Sequence, residues 1–109
     1  MLNRSFRGVW IPREIWLNKD LSITEKCFLA EIDSLGGSEE GCFASNQYFA
    51  EFFNLSKERA RKIIGELNKK GYLEITLTYK EDTKEVDQRI IKLIGYGHKQ
   101  PYGQNQPEG

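Results

Sequence analysis

The chain has 109 residues, 39% of them hydrophobic, which is enough for one modest core and predicts a single compact domain. Sixteen basic and sixteen acidic residues cancel to a formal charge of zero, so attraction to a polyanion must come from uneven placement of charge. No apolar run approaches membrane-spanning length, and no apolar segment follows the first residues. We therefore expect a soluble, unexported, cytoplasmic protein that makes no membrane contact.

The two cysteines do not resemble a metal site. Cys27 and Cys42 form no CxxC motif and have no histidine partners. Buried, reduced thiols are the expected state, and this agrees with a cytoplasmic location. The sequence therefore predicts no bound metal and no other cofactor.

A short helix is predicted over residues 13–16, with Pro12 well placed as its first residue because proline needs no N–H there. Trp10 and Trp16 flank this helix. A tryptophan can serve as a stacking platform for a base, but beside a small core it usually packs inward. We expect both tryptophans to pack against the core.

The next helix begins with a capping box formed by Ser22 and Glu25, in which each side chain bonds the backbone amide of the other residue. Its core-facing stripe, at helical spacing, consists of Phe28, Leu29, Ile32 and Leu35. The glycine pair at 36–37 ends the pattern. A polar loop over 38–41 follows, and residues 42–44 are predicted to form a brief strand that pairs with a later hairpin.

Acidic residues are concentrated in the middle of the chain. Between Glu31 and Glu51 there is no lysine or arginine, and the five acids there are Glu31, Asp33, Glu39, Glu40 and Glu51. This half of the molecule is expected to face away from a polyanion.

A second pair of helices is predicted with a tight turn between them. Ser45 caps a helix over residues 46–53, whose three phenylalanines lie on one core-facing side and whose Ala50 allows a close helix crossing. Asn54 takes the turn, because asparagine tolerates positive φ, and Leu55 fills the core. Ser56 caps the next helix, predicted over residues 57–70 and stopped by Gly71. The inner stripe of that helix consists of Ala60, Ile63, Ile64 and Leu67.

The outer face of the helix over 57–70 is mostly basic. From Ser56 to Gly71 there are six bases and two acids, so six minus two gives a local charge of +4 in a neutral protein. Arg59, Arg61 and Lys62 fall in the first two turns, the part of a recognition helix that meets base edges in the major groove. Gly65, also on the outer face, either permits a close approach or has no function.

A β-hairpin follows. Residues 72–80 alternate, with Leu73, Ile75, Leu77 and Tyr79 predicted on a buried face. A polar turn over 81–85 leads to a second strand over 86–94. Lys80, Lys84 and Arg89 can grip a phosphate, yet residues 80–85 hold two bases against three acids, so wing contact and a purely structural or subunit-contact role both remain open. Residues 95–109 are rich in glycine, proline and glutamine and are expected to form a flexible tail or linker.

These elements predict an α+β fold of the winged helix-turn-helix type over residues 1–94: a three-helix core, a short N-terminal helix and a β-hairpin wing. We expect phosphate contacts at the start of the helix over 46–53, base and phosphate contacts along the following helix, and wing contacts at the hairpin turn. The candidate DNA-binding residues are Ser45, Asn46, Gln47, Ser56, Lys57, Glu58, Arg59, Arg61, Lys62, Lys69, Lys80 and Lys84. The alternative explanation of the basic helix is an ordinary solvated surface.

An enzyme is not expected, because no catalytic motif is present. The only histidine, His98, lies in the predicted tail, and there is no glycine-rich phosphate loop, HExxH or GxSxG. No carboxylate falls on an evident apolar cleft that would raise its pKa for acid-base chemistry.

The chain resembles the winged-helix domain at the amino end of replication initiator and replisome-organiser proteins of plasmids, phages and integrative elements in Gram-positive bacteria. The resemblance covers residues 6–94. Its motifs are Gly8-Val9-Trp10-Ile11-Pro12-Arg13-Glu14-Ile15-Trp16-Leu17, Leu21-Ser22-x-x-Glu25-Lys26, Glu31-Ile32-Asp33-Ser34-Leu35 and Gly41-Cys42-Phe43-Ala44-Ser45-Asn46. The segment from Leu55-Ser56-Lys57 to Gly71-Tyr72 is common to winged helices generally and indicates DNA binding only.

In such families this domain binds double-stranded origin DNA, often as a dimer, and a carboxyl-terminal domain recruits the replication machinery. The resemblance therefore implies double-stranded DNA, a second copy of the chain and, through a C-terminal domain missing from this sequence, replication proteins as partners. Two alternatives stay open. One is a stand-alone winged-helix transcription regulator, and the other is a winged helix that binds proteins through its acidic surface and hairpin.

Overall fold

Six short elements occur in the computed structural model, which describes residues 8–94. The predicted tail over 95–109, including His98, and the first seven residues lie outside the described part. In chain order the elements are α1 (Arg13–Trp16), α2 (Ile23–Ser34), α3 (Asn46–Phe53), α4 (Lys57–Lys69), β1 (Leu73–Tyr79) and β2 (Val86–Leu93). This is an α+β winged helix, as predicted.

The helix starts follow the predicted caps. Ser22 Oγ accepts from the amide of Glu25 at 3.1 Å, and the amide of Ser22 donates to Glu25 Oε1 at 2.9 Å, which completes the capping box of α2. Ser45 caps α3 by accepting from the amide of Tyr48, and Pro12 is the cap of α1 rather than its first residue. Since these caps are local, the sequence alone could place them.

The turn between α3 and α4 has the predicted conformation. Asn54 adopts φ 58° and ψ 51°, the left-handed region that asparagine tolerates. The amide of Leu55 bonds back to the carbonyl of Ala50 at 2.8 Å and closes the turn. Ser56 then caps α4 by accepting from the amide of Arg59 at 3.0 Å. Gly71, at φ 91°, lies just beyond the end of α4.

The core lies between α2, the helix pair and the base of the sheet. Phe28 of α2 stacks on Phe49 and Phe53 of α3, with ring centroids 5.6 and 4.3 Å apart. Ala50 and Ala60 are both buried where α3 packs on α4, which agrees with the predicted close crossing. The inner stripe of α4 predicted from the sequence is buried throughout.

The sheet has two strands, β1 and β2, paired antiparallel from Leu73 with Leu93 to Tyr79 with Val86. The predicted brief strand at 42–44 is a single bridge, in which Cys42 and Ile91 exchange both backbone hydrogen bonds at 2.7 and 2.8 Å. Gly41, at φ 119°, allows this approach, because a Cβ there would lie 2.5 Å from Ile90 Cγ2.

The prediction that the hairpin has one continuous buried face is wrong for its outer half. Leu73 is buried and Ile75 is half-buried, but Leu77 and Tyr79 are 42% and 54% exposed. The side chains of β1 do alternate between its two faces. The hairpin extends beyond the helices that cover its inner end, so Leu77 and Tyr79 at its outer end have no helix to pack against in the described part of the chain.

The prediction that both tryptophans pack against the core is also wrong. Trp10 is 83% exposed and Trp16 is 52% exposed. Helix α1 has only four residues and turns one side chain inward, and that side chain is Ile15. Trp16 instead lies beneath the ammonium of Lys26, 5.0 Å from the ring centroid, where a cation-π contact forms.

Arg89 is half-buried and holds the hairpin against the start of α3. Its guanidinium donates to the carbonyl of Ala44 at 2.8 Å and to Asn46 Oδ1 at 2.7 Å. Burial lowers the pKa of Arg89, yet an arginine stays charged at neutral pH. For Arg89 the structure therefore favours the structural role, one of the two that the sequence left open: the residue joins β2 to α3.

Glu25 makes a second long-range link, between the start of α2 and the end of α4. Lys70, the C-cap of α4, places Nζ 3.0 and 3.1 Å from its two carboxylate oxygens. The carboxylate is almost buried, so the ion pair is shielded from water more than a surface pair would be.

Replacement of Lys70 by methionine should lower the free energy of unfolding by about 1–3 kcal/mol, because the buried Glu25 carboxylate loses its cation. Urea denaturation measures this change. The matched control is Lys69→Met, one residue earlier on an exposed site, which should stay within about 0.5 kcal/mol of the parent. Equal effects of the two substitutions would contradict a stabilising Glu25–Lys70 link.

Replacement of Arg89 by methionine should also destabilise the fold by about 1–3 kcal/mol, because the half-buried carbonyl of Ala44 and Oδ1 of Asn46 lose a charged donor. Arg89→Lys should recover little, since an ammonium cannot reproduce the planar fork that reaches both oxygens. Thermal and urea unfolding report the effect, with exposed Gln88→Met as the control. Full recovery by lysine would show that charge, and not the two-point contact, holds the hairpin.

Candidate nucleic-acid interface

The outer face of α4 is built by the burial of its inner face. Because Ala60, Ile63, Ile64 and Leu67 are buried, helical periodicity turns the remaining residues outward. The exposed side chains along α4 are Lys57, Glu58, Arg59, Arg61, Lys62, Glu66, Asn68 and Lys69, with Gly65 between them. The predicted basic face is therefore a real surface.

Two of the predicted contact residues pair with each other. Arg61 donates to Glu58 through Nε at 3.1 Å and through Nη2 at 2.5 Å, on the exposed surface. Hydrogen bonding from Arg61 lowers the pKa of Glu58, and the same bond raises the pKa of Arg61. An exposed pair of this kind is easily opened, so Arg61 can still turn to a phosphate by giving up Glu58.

The other cations of α4 are uncompensated within the described residues. Lys57, Arg59, Lys62 and Lys69 form no ion pair with any residue in the range 8–94. Lys70, by contrast, is held by Glu25 and is unavailable. The effective positive face of α4 therefore consists of Lys57, Arg59, Lys62 and Lys69.

Arg59 and Lys62 line an open groove between α4 and the start of α2. The groove has a volume of about 270 Å³ and is bounded on the α2 side by Ser22, Thr24 and Glu25. Sequence reasoning did not join the start of α2 to this surface, because the two segments lie more than 30 residues apart. The capping box marked the start of α2, but nothing local indicated that it lies beside Arg59.

Gly65 lies on the exposed outer face with open space around it. A Cβ built on Gly65 would meet nothing within 4 Å. The fold itself therefore does not require glycine here, although glycine weakens a helix by about 1 kcal/mol relative to alanine.

The start of α3 uses its side chains internally. Ser45 Oγ caps the helix, Asn46 Oδ1 accepts from Arg89, and Gln47 Nε2 donates to Glu51 Oε2 at 2.8 Å. The first backbone amides of α3 have no acceptor within the helix, as at any helix start. Any phosphate contact here would fall mainly to these amides and to the Nδ2 group of Asn46, the donor of a side chain whose Oδ1 already accepts from Arg89.

The turn of the hairpin carries mixed charge. Lys80 Nζ lies 3.6 Å from Glu85 Oε2, and both groups are exposed. Lys84 is exposed and forms no ion pair with the rest of the described chain. Of the two predicted wing residues, Lys84 is therefore the freer cation.

The acidic surface is smaller than the sequence suggested. Glu31 is only 2% exposed, and the hydroxyl of Tyr48 donates to its Oε2 at 2.6 Å. The hypothesis of an acidic interface that includes Glu31 is wrong in that respect, because this carboxylate is part of the interior. Glu39, Glu40 and Glu51 are exposed and lie apart from α4 in the chain.

Other kinds of site are not apparent in residues 8–94. No group of three or more histidine, cysteine, aspartate or glutamate side chains is arranged to hold a metal ion there. Burial raises the pKa of the Cys27 and Cys42 thiols, which favours their protonated form at neutral pH. None of the helices within this range is long and apolar enough to cross a membrane.

Comparison with protein-family models finds the Helix-turn-helix domain over residues 19–73, which is just over half of the chain. Comparisons with curated proteins and with solved structures gave no significant match. The matched range begins before α2 and ends at the first residue of β1, so it contains α2, α3, α4 and the turn at Asn54. The chain belongs to the helix-turn-helix domain family, which is typically DNA-binding and non-enzymatic.

Proposed function

We propose that this chain is a sequence-specific module for double-stranded DNA, that it belongs to a mobile-element replication initiation protein, and that α4 lies in the major groove. The observation that carries the proposal is the uncompensated positive face of α4 in a protein of zero net charge. Interaction with phosphates is long-ranged compared with hydrogen bonding, so such a face selects the orientation of approach. The two free cysteines agree with a reducing, cytoplasmic location.

Within this proposal the contacts divide by chemistry. Arg59 and Lys62 are assigned to base edges and nearby phosphates, because they lie in the first two turns of α4. Arg61 joins them after release from Glu58. The backbone amides at Ser45, Asn46 and Gln47 serve a phosphate at the start of α3, while Lys57, Lys69 and Lys84 add charge around the edge.

The assignment to replication initiation depends on the resemblance of the amino-terminal motifs, particularly the segment before α2. Footprinting on the genetic element that encodes the chain tests it. Protection of a repeat array within the replication gene supports an initiator, whereas protection of a promoter operator supports a transcription regulator. Absence of any binding to mixed genomic fragments at low salt would contradict a DNA-binding role.

The double substitution Arg59→Ala with Lys62→Ala should weaken binding to duplex DNA and flatten its salt dependence. Each lost phosphate contact should reduce the slope of log K against log salt by about one. Fluorescence anisotropy at several salt concentrations measures both quantities. The control is Lys92→Ala, an exposed cation beside Gly41 in the acidic half of the molecule. An unchanged slope in the double variant would contradict contact through this face.

Gly65→Ala should change the stability of the fold and its affinity for DNA in opposite directions. The helix should gain about 0.5–1 kcal/mol, because alanine loses less backbone entropy and meets no neighbour within the protein. If α4 lies deep in the groove, the added methyl meets DNA and the dissociation constant rises by about tenfold, equivalent to about 1.4 kcal/mol. Urea unfolding and anisotropy on the same sample measure the two effects.

The matched control for Gly65→Ala is Asn68→Ala, an exposed substitution in the same helix. It should change stability less than Gly65→Ala does. Increased stability of Gly65→Ala with unchanged DNA affinity would show that DNA does not approach the third turn of α4.

A further inference from the structure

One edge of β1 has no strand beside it in the part of the chain that the structure describes. β1 pairs only with β2, while the other edge of β2 is bridged by Cys42. Ile91 and Leu93 direct their amides to Cys42 and Gly37, away from β1. Because Ile91 lies opposite Ile75 in the register, the backbone groups of Ile75, and of Leu77 and Tyr79 further along, point to the free edge.

This free edge is regular and apolar. The register shift near Tyr79 leaves an extra residue on β2, so β1 itself has no bulge. Leu77 and Tyr79 are 42% and 54% exposed on the face that continues from the core, and Val86, opposite Tyr79, is 47% exposed. Edge strands are normally protected by charge, proline, a bulge or a cover. The stretch from Ile75 to Tyr79 has no charge, proline or bulge, and no strand within the described part of the chain covers it.

The sequence of β1 is complementary to itself when reversed about Leu77. Residues 74–80 read Glu-Ile-Thr-Leu-Thr-Tyr-Lys. In an antiparallel pair centred on Leu77, the opposed residues are Glu74 with the partner's Lys80, Ile75 with the partner's Tyr79, Thr76 with the partner's Thr78, and Leu77 with the partner's Leu77. Opposite charges, threonine pairs and aromatic with β-branched pairs are the cross-strand combinations that stabilise sheets.

We propose that two copies of the chain pair antiparallel through the free edge of β1, centred on Leu77, and form a continuous four-stranded sheet. The register satisfies the backbone as well, because the opposed residues 75, 77 and 79 are those whose backbone groups point to the free edge. The two-fold axis passes between the Leu77 residues, so every favourable pair except the central Leu77 pair occurs twice.

Charge selects this register over its neighbours. Moving the centre by one residue to Thr78 would place Glu74 opposite the partner's Asp82, and moving it to Thr76 would leave Glu74 opposite the partner's Thr78. Parallel in-register pairing would oppose Glu74 to Glu74 and Lys80 to Lys80. Among residues 8–94 of one chain, the Lys80 ammonium has only its exposed contact with Glu85 at 3.6 Å to give up.

Charge reversal tests both the interface and its register. The full chain without DNA should form a dimer in sedimentation equilibrium. Glu74→Lys and Lys80→Glu should each raise the dimer dissociation constant by about tenfold or more, because each variant creates two like-charge pairs. The double variant restores opposite charges at both positions and should return to within about threefold of the parent.

Three outcomes would overturn the proposal: a monomer at every concentration, a dimer unaffected by the single reversals, or no recovery in the double variant while its circular dichroism and thermal unfolding match the parent. Because DNA is absent, each of these outcomes leaves the proposed DNA-binding function untouched.

Cross-linking gives a second, charge-independent test. In a Cys27→Ser background, Leu77→Cys would face its own copy with Cα atoms about 5.5 Å apart, while Tyr79→Cys, on the same face and similarly exposed, would be about 14 Å from its copy. A bifunctional thiol reagent too short to span the larger distance should link the first variant and not the second. Equal linking of both variants would overturn the proposed register.

Discussion

The burial of one side of α4 is the constraint from which the rest of the candidate interface follows. Four apolar residues at helical spacing must leave water, and α3, α2 and the base of β1 provide the surfaces that cover them. Once they are covered, no rotation of α4 can hide Arg59, Lys62 or Gly65. The exposed basic face is thus the geometric complement of the core, and the caps at Ser22, Ser45 and Ser56 fix where each supporting helix begins.

Although the net charge is zero, some charged residues are paired inside the fold and others are exposed and unpaired. Two acids form contacts inside the fold. Glu25 caps the start of α2 and pairs with Lys70, and Glu31 accepts a hydrogen bond from Tyr48 in the interior. Charges committed in this way contribute little to the outside field. The cations that an approaching polyanion meets unpaired at α4 are therefore Lys57, Arg59, Lys62 and Lys69.

The sequence could predict the parts of the fold that depend on neighbours along the chain. The capping box of α2, the serine caps of α3 and α4, the left-handed Asn54 and the inner stripe of α4 are all governed by residues within a few positions of one another, and each was predicted correctly. The family match supports the same helix-turn-helix core. The individual contact residues stay predictions, because neither the fold nor the family distinguishes a cation on DNA from a cation in water.

The sequence predictions that were wrong or left open share a cause. In each case the burial or partner of a side chain depends on where one element ends relative to another in the folded structure. Trp10 and Trp16 have core-like side chains, but α1 is too short to turn more than Ile15 inward. Arg89 looked like a free cation until tertiary packing brought Ala44 and Asn46 beside it. Leu77 and Tyr79 obey the alternation of a half-buried strand, yet the helical layer ends before the hairpin does. The spacing of apolar residues and their propensities show which face of a helix or strand is turned inward. How far along that face other elements cover it depends on the packing of the whole chain.

The outer half of the hairpin connects the proposed dimer to the proposed DNA binding, because a dimer would bind DNA more strongly than a single copy. The four free cations of α4 and Lys84 at the hairpin turn would release only about five counterions, which makes a single copy a weak ligand for DNA with a shallow salt dependence. Pairing through β1 joins two such faces in one particle, and the dyad that relates them would match an inverted repeat in the DNA. In that arrangement Lys80 belongs to the protein interface, opposite the partner's Glu74, and Lys84 at the turn is the wing cation that remains for a phosphate. The mixed charge of the turn argued against a role in phosphate binding alone. It agrees with a segment in which Lys80 contacts the other subunit and Lys84 contacts DNA.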